Sequence, residues 1–409
     1  ATSSYERNNL NSLYNPQTLT QSTRTSSVSW STTFSSIGLS LSATTNLSQN
    51  MRDNTIQMTL PDLNISLSRF YPFKRKHAVG KERWYEKVSM SYTGQLSNSI
   101  TTNEDKLLHS NLFKDWRNGF QHTIPVQANF TLFNYINVTP SFNFVDRMYS
   151  KKVNRSWDAI HQTEVKDTTY GFHNIYNWSM SVGASTKLYG FWKPNRKLFG
   201  DKIQAIRHVI TPQISFSYSP NFGSRHYGYY DSYQYTDASG NVKLVEYSPY
   251  REELYSVPGK TKTEMISWDV SNNLEMKIKS DKDSTGFKKI SLIDELGATM
   301  SYNAATNFHR WSDLSVRLRL KWWKNYTFSM NAQFATYAYE LDASGKPYVG
   351  NHTEWGYGRL PRFLGMSQNF SFTLNPEKLR KWFGHKDDKD DNKVSEGSDG
   401  PDTNIESNM

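Results

Sequence analysis

The stretch Leu314-Ser315-Val316-Arg317-Leu318-Arg319-Leu320-Lys321-Trp322-Trp323-Lys324-Asn325-Tyr326-Thr327-Phe328-Ser329-Met330-Asn331-Ala332-Gln333-Phe334 decides how this chain folds. Apolar side chains stand at every second position from Leu314 to Trp322, with Ser315, Arg317, Arg319 and Lys321 between them. After Lys324-Asn325 the order resumes, and Tyr326, Phe328, Met330, Ala332 and Phe334 alternate with Thr327, Ser329, Asn331 and Gln333. Successive side chains of a β-strand point to opposite faces, so a period of two marks a strand with one apolar and one polar face. Two such strands joined by a short polar break form a hairpin.

The same alternation runs through the chain. It is present at Ile37, Leu39, Leu41, Ala43 and Leu47, then at Ile124, Val126, Ala128, Phe130 and Leu132, and again at Ile136, Val138, Phe142 and Phe144. It returns at Trp178, Met180, Val182, Ala184 and Leu188, at Ile214, Phe216 and Tyr218, at Ile266, Trp268, Val270, Leu274, Met276 and Ile278, and at Phe370, Phe372 and Leu374. Soluble sandwiches alternate too, so length decides between the two architectures. Soluble strands are mostly about 5 to 6 residues long, whereas a strand crossing the hydrocarbon needs about 9 to 11, and these runs extend over about 9 to 15. Their polar parity is mostly Ser, Thr, Asn and Gln, which suits a wet lumen with the apolar parity toward lipid. The expected fold is all-β, an antiparallel transmembrane outer-membrane β-barrel, and about 13 to 16 strands are foreseen with uncertain ends.

Composition agrees. Mean hydropathy is low, −0.73, yet the 409 residues include 12 Trp, 25 Tyr and 22 Phe. Low hydropathy with many aromatics fits two-faced strands rather than disorder. The chain has no cysteine, which excludes disulfides and thiolate metal sites. No run of about 18 apolar residues offers a transmembrane helix, and a bilayer protein without one must close its strands into a barrel. The net charge of +10 by itself names no partner. The first residues, Ala1-Thr2-Ser3-Ser4-Tyr5, carry no signal peptide, as expected of a processed chain or of an internal piece of a longer one.

Turn chemistry divides the strands. Ser35-Ser36, Asn134-Tyr135 and Lys324-Asn325 separate consecutive runs. Asp237 to Gly240 and Asp342 to Gly345 place Asp at the start of a turn and Gly at its end, so each forms a hairpin tip within a longer loop, extracellular by the barrel convention. Leu107 to Trp116 is expected as a loop or one helical turn. Asn375 caps a short expected helix from Pro376 to Phe383. Residues 1–384 therefore form the barrel segment with its loops. Residues 385–409 are polar, acidic and nearly free of apolar side chains, and form a disordered tail or the start of a long loop. The lack of a terminal aromatic strand points to an incomplete portion of a larger barrel.

No nucleophile elbow, phosphate loop, dinucleotide fingerprint or zinc helix is present, so the sequence nominates no catalytic residue, cofactor, metal or nucleic-acid site. Nine Asn-x-Ser/Thr sequons, at Asn46, Asn64, Asn129, Asn137, Asn154, Asn177, Asn325, Asn351 and Asn369, are attributed to a polar strand face built of Asn, Ser and Thr rather than to glycosylation. Tyr71-Pro72-Phe73-Lys74-Arg75-Lys76 and Phe191-Trp192-Lys193 each place aromatics before cations at the end of a long alternating run. That order suits an interfacial belt, with rings at the headgroups and cations on lipid phosphates.

Arg207-His208-Val209-Ile210-Thr211-Pro212-Gln213-Ile214-Ser215-Phe216-Ser217-Tyr218-Ser219-Pro220 is the most specific stretch. Two prolines bracket one alternating strand, and a proline inside a sheet marks a bulge, an end or a weakened pairing. With Phe222 following, this stretch resembles the Thr-Pro strand ending in Tyr-x-Pro of the outer-membrane lipopolysaccharide-assembly barrel, the LptD family. The elements at Tyr71 and at Trp192-Lys193-Pro194-Asn195 look like its Bacteroidetes branch. Pro212, Tyr218 and Pro220, with Arg207 and His208, match the motif in what looks like a structural role.

The resemblance implies a barrel of about 26 strands with a plug lipoprotein of the LptE type inside it. It implies a periplasmic jelly-roll domain fed by periplasmic lipopolysaccharide bridge proteins, and a lateral gate between first and last strands to which no residue here is assigned. The expected function is insertion of lipopolysaccharide into the outer leaflet of the bacterial outer membrane, without covalent chemistry, with lipopolysaccharide and outer-membrane lipid as partners. Ser215 and Ser217 are the candidate lumen positions. A porin or nutrient-uptake barrel, and a soluble β-rich surface protein that binds glycans, are the two alternatives.

Overall fold

In the computed structural model the described residues are 23–50, 53–77, 79–195, 200, 202–237, 239–280, 286–322 and 326–372. They form nineteen strands: β1 Thr23–Phe34, β2 Leu39–Asn50, β3 Thr55–Phe70, β4 Val88–Asn103, β5 Arg117–Ala128, β6 Phe130–Leu132, β7 Ile136–Asp158, β8 Thr163–Ser185, β9 Leu188–Trp192, β10 Ile203–Ser219, β11 Asp231–Thr236, β12 Val242–Tyr247, β13 Thr263–Lys279, β14 Phe287–Asn303, β15 Leu314–Trp322, β16 Tyr326–Ala335, β17 Tyr337–Leu341, β18 Pro347–Thr353 and β19 Arg362–Phe372. One antiparallel sheet takes fifteen of them, in the order β1-β2-β3-β4-β5-β7-β8-β10-β13-β14-β15-β16-β19, with β6 added to β7 and β9 to β10. Apart from local hairpins the strands pair with their chain neighbours, a meander. Between β1 and β19 there is no pairing among the described residues, so the sheet is open.

Pairing register keeps the two faces chemically distinct across the whole sheet. Ser42, Asn64, Gln95, Gln121 and Arg147 stand opposite one another from β2 to β7. Thr139, Gly183, Ser215, Ser267 and Ser301 do so from β7 to β14. The opposite face carries Val182, Phe216, Ile266 and Tyr302 in one row. A slip of one residue anywhere would exchange the faces, so the pattern fixes the register.

The antiparallel order gives the sheet two ends. β1, β3, β5, β9, β13 and β15 finish at one of them, where the connections include residues 35–38, 71–87 and 129–135, and β2, β4, β7, β10, β14 and β16 finish at the other, where they include residues 104–116, 159–162, 220–262, 304–313 and 336–361. The second, holding the longest connections, is called the loop end below, and the first the turn end.

Most expected turns are found. Gly240 and Gly345, both at positive φ (80° and 81°), close the hairpins β11–β12 and β17–β18, and each donates its N–H to the carbonyl of Asp237 or Asp342 at 2.9 Å. A single helical turn does form, but at Glu104–Leu107, so it ends where the segment foreseen as Leu107 to Trp116 begins. Ile37 departs from expectation. It lies in the β1–β2 turn, because Gly38 takes a positive φ of 65° and β2 begins only at Leu39. Pro212 departs more instructively, since β10 starts nine residues before it and passes through it. On one side β10 pairs continuously with β13, Pro212 opposite Val270. On the other it meets β9 up to Ile210 and β8 from Gln213, and the carbonyl of Pro212 accepts from Thr186 in the gap, at 3.2 Å. The missing N–H of Pro212 therefore faces a break in the neighbouring strand, where no ladder bond is lost. Pro220 does follow the end of β10. Lys324-Asn325, the expected helix from Pro376 and the segment 385–409 lie outside the described residues.

Candidate functional site

The Ser, Thr, Asn and Gln parity places a chemically uniform polar surface along one side of the sheet. Near the turn end it lines a cleft of about 510 Å³ that spans from β3 to β10. Arg69, Gln127, Ser141, Ser181, Gln213 and Ser215 line it. Arg69 donates to Gln127 across the intervening β4 at 3.3 Å, and Ser141 and Ser181 share a hydrogen bond at 2.7 Å. Ser217 stands opposite Ser181 on the same face. Phe216, between the two serines, is on the apolar face and 37% exposed. The cleft thus offers hydroxyls, amides and one guanidinium, groups that bind sugars and phosphates rather than acyl chains.

Farther along the same face, β13 to β15 carry an ion network that sequence spacing alone does not show. Arg317 donates to both carboxylate oxygens of Asp269, at 2.7 and 2.9 Å, and to Glu295 at 2.5 Å. Its guanidinium lies against Gly297, where a Cβ would sit only 2.6 Å away. Arg319 pairs with Asp294 and Glu295, and Lys321 with Asp294. Asp294 and Glu295 are sequence neighbours, and irregular pairing between β13 and β14 accompanies their common approach to these cations. Three carboxylates meet three cations, so this wall is electrically balanced. Arg207 belongs to the same pattern through Glu275, at 2.5 Å. The neighbouring His208 ring nitrogen lies 3.2 Å from Asn272 Oδ1.

The long β10–β13 connection, residues 220–262, folds back over the polar face instead of standing clear of it. Its Phe222, Tyr229 and Tyr250 pack with Tyr149 of β7 and Ile175 of β8, which are 2% and 0% exposed. Tyr149 donates its hydroxyl to the Tyr255 carbonyl at 3.1 Å, and Tyr250 stacks on Tyr149 with ring centroids 5.8 Å apart. The Tyr255 ring lies against Gly119 of β5, where a Cβ would come within 2.8 Å of it. Glu252 ties the connection to the β7–β8 hairpin through Arg155 and Lys166, at 2.5 and 2.6 Å. Beside it Glu253 is buried, its Oε2 has no hydrogen-bond partner among the described residues, and burial pushes its carboxyl up to about 7. The tyrosine density from Tyr227 to Tyr255 was the available signal for this packing.

Both expected aromatic-cation elements lie at the turn end. Tyr71, Phe73, Phe191 and Trp192 are exposed there. Their cations are not equivalent. Lys76 and Lys193 are exposed, and Lys74 makes a long ion pair with Glu82 at 3.5 Å. Arg75 instead turns inward and clamps the buried Glu86, at 2.6 and 3.0 Å. Arg75 and the Arg83 amide hold the Glu86 carboxyl down at about 2. Arg75 therefore fastens the residue 71–87 connection. Of the motif residues, Tyr218 packs its ring 5.6 Å from that of Trp178. The sequons Asn64, Asn137 and Asn369 stand opposite the polar Gln95, Ser185 and Ser329 within the ladders, whereas Asn177 stands opposite the buried Val145 and accepts from Arg147 at 2.6 Å.

No curated protein matches the chain. Among solved structures, the crystal structure of the outer membrane transporter YddB from Escherichia coli is similar at 7% identity and a TM-score of 0.25, covering 79% of this chain and 48% of that one. The chain thus spans about half the length of that transporter. The family model described as LptD protein matches residues 1–337, most of the described sheet and the whole Arg207–Pro220 motif, and the chain belongs to the LptD protein family.

Proposed function

We propose that this sheet is the wall of an outer-membrane barrel through which lipopolysaccharide reaches the outer leaflet. The observation that carries the reading is the apolar face. Val182, Ile214, Phe216, Val270, Leu296, Met366 and Phe370 are between 37% and 56% exposed there, strand after strand. Each such side chain, already about half covered, forgoes roughly 1 kcal/mol of further burial unless lipid covers it. A soluble protein does not leave such a continuous surface open, which disfavours the soluble glycan-binding alternative. A strand of 12 residues at about 3.4 Å per residue and about 40° of tilt rises roughly 30 Å, enough for the hydrocarbon.

The polar face would then line the lumen, and the cleft at Ser215 would receive the sugar-phosphate headgroup. Acyl chains would leave through the wall. The protein would act as a conduit with no covalent step, driven by lipopolysaccharide supplied through periplasmic bridge proteins and supported by a plug lipoprotein of the LptE type. One observation favours a second reading. The connection 220–262 folds onto the polar face as a constriction loop does in a porin or nutrient-uptake barrel. Photo-crosslinking in living cells separates the two. A crosslinking residue at Ser215 or Ser217 of the full-length protein, with Phe216 as the lipid-facing control, should capture lipopolysaccharide only while its supply from the inner membrane continues. Phospholipid adducts at Phe216 with no glycolipid at the serines would leave the porin reading.

A further inference from the structure

We propose that a second cleft, on the apolar side at the loop end, binds the sugar-phosphate headgroup of a glycolipid lying in the adjoining leaflet. It measures about 420 Å³ and is lined by Tyr302, Trp311, Tyr337 and Tyr357 together with Arg310 and Asn351. It is separate from the polar-face cleft. Tyr302 stands opposite Ile266, and Trp311 stacks on Trp268 with centroids 5.5 Å apart and planes 28° from parallel. Ile266, Trp268 and Tyr302 share the apolar parity. Tyr302 is the penultimate residue of β14, so the cleft sits where strands end and headgroups begin. Tyr and Trp are the residues that settle at that level.

The chemistry of the lining selects the ligand. Rings of Tyr302 and Trp311, 4.9 Å apart and edge-on, with Trp355 edge-on to Trp311 at 5.8 Å, make a rigid aromatic corner suited to the apolar faces of a sugar ring. Asn307 and Asn351, whose Oδ1 atoms accept from Arg310 at 3.4 Å and from the His309 amide at 3.1 Å, add their NH2 groups for sugar hydroxyls. Arg310 is fixed by the Thr306 carbonyl at 2.9 Å, the Tyr302 hydroxyl at 3.0 Å and Asn307 Oδ1 at 3.4 Å, and none of the ion pairs among the described residues includes it. The cleft's His352, by contrast, is engaged by Glu340 at 2.6 Å. A preset guanidinium without a carboxylate fits a phosphate. Aromatic corner, amides and cation together describe a phosphorylated saccharide. Their place on the apolar side assigns it to a lipid rather than to a solute in the lumen.

This inference rests on the barrel part of the proposed function and is independent of transport. The test uses full-length protein in nanodiscs made of phosphatidylglycerol with a bis-phosphorylated glucosamine-disaccharide lipid, and a photo-crosslinking residue at Asn307. Adducts to the glycolipid are expected, reduced at least fivefold by Arg310→Gln and by omitting the phosphates, and not displaced by the soluble disaccharide phosphate. Heat-dependent electrophoretic mobility checks that Arg310→Gln is folded. Adducts to phospholipid alone, adducts indifferent to Arg310→Gln, displacement by the soluble sugar, or none at all would overturn the inference while leaving the barrel standing. Failure of the folded protein to enter the discs would remove both.

Discussion

Tyr255 donates its hydroxyl to the backbone carbonyl of Gln95, 2.6 Å away and 160 residues earlier in the chain. The bond crosses the polar face from the β10–β13 connection to β4, and Gly119 of β5 makes room for the ring between them. A ladder carbonyl in a sheet has a second lone pair to offer, so Tyr255 gains a partner without breaking a strand pair.

Gly119→Val is therefore expected to dislodge residues 220–262 without unfolding the sheet. The added side chain projects into the space of the Tyr255 ring. Tyr255→Ala should act in the same direction by removing the ring, lowering the local opening free energy by roughly 2–4 kcal/mol. Hydrogen exchange of residues 220–262 should accelerate in both variants, while amides of β13 and β14 keep their protection. Equal protection of the connection in all three proteins would contradict the packing described.

Glu253 makes the same connection pH-dependent. Its folded-state pKa is raised from an ordinary value of 4.5 to about 7, so the folded form binds its proton more tightly than the released form. The stabilisation is complete below about pH 4.5 and is lost as pH rises to about 7, with a span on the order of 3 kcal/mol. Exchange in residues 248–257 should quicken across that window in the wild type, and Glu253→Gln should flatten the profile. A profile that is unchanged in Glu253→Gln would assign the pH dependence elsewhere.

Glu86 has the opposite sign. Its folded pKa is lowered to about 2, so its contribution is present above about pH 4.5 and fades as pH falls toward 2. Removing it at neutral pH should imitate acid. Glu86→Gln is expected to open the residue 71–87 connection to trypsin at Lys81 and Arg83 at neutral pH, with the sheet still resistant. Identical cleavage rates in the two proteins would show that the Arg75 clamp does not hold the loop.

The ion network on β13 to β15 should be sensitive to which member is lost. Arg317→Met leaves Asp269 without a cation and Glu295 with Arg319 alone, at 3.2 Å, whereas Asp269→Asn leaves Arg317 with Glu295 at 2.5 Å. Breaking a fully buried pair costs about 3–5 kcal/mol, and the partial exposure here brings the expected loss for Arg317→Met to roughly 1–3. The midpoint of heat-induced mobility change should fall more for Arg317→Met than for Asp269→Asn. The reverse order would mean that the wall is held by packing alone.

The strands were legible because alternation is local. Leu314 to Phe334 announces a hairpin within 21 residues, and the Asp-to-Gly turns at residues 237–240 and 342–345 carry their own φ requirement. What was not legible depends on register or distance. Arg317 and Asp269 are 48 positions apart and meet only because β13, β14 and β15 pair as they do. The folding of residues 220–262 onto the polar face rests on Tyr149, Ile175 and Gln95, three strands that no local pattern connects to Tyr255. Pro212 looked like a strand boundary because its own residue type disfavours a ladder. The break is in the neighbouring strand, at Thr186-Lys187, and the sequence there is unremarkable.

The most direct test is solvent labelling of single cysteines placed at Ser215, Phe216 and Ser217 in the full-length, membrane-embedded protein, with any cysteine outside these 409 residues, which carry none, first replaced by serine. A membrane-impermeant maleimide should modify positions 215 and 217 from the water-filled side and leave 216 unmodified until the lipid is removed. Labelling of position 216 at the rate of its neighbours, or labelling of 216 alone, would contradict a polar face turned to water and an apolar face turned to lipid.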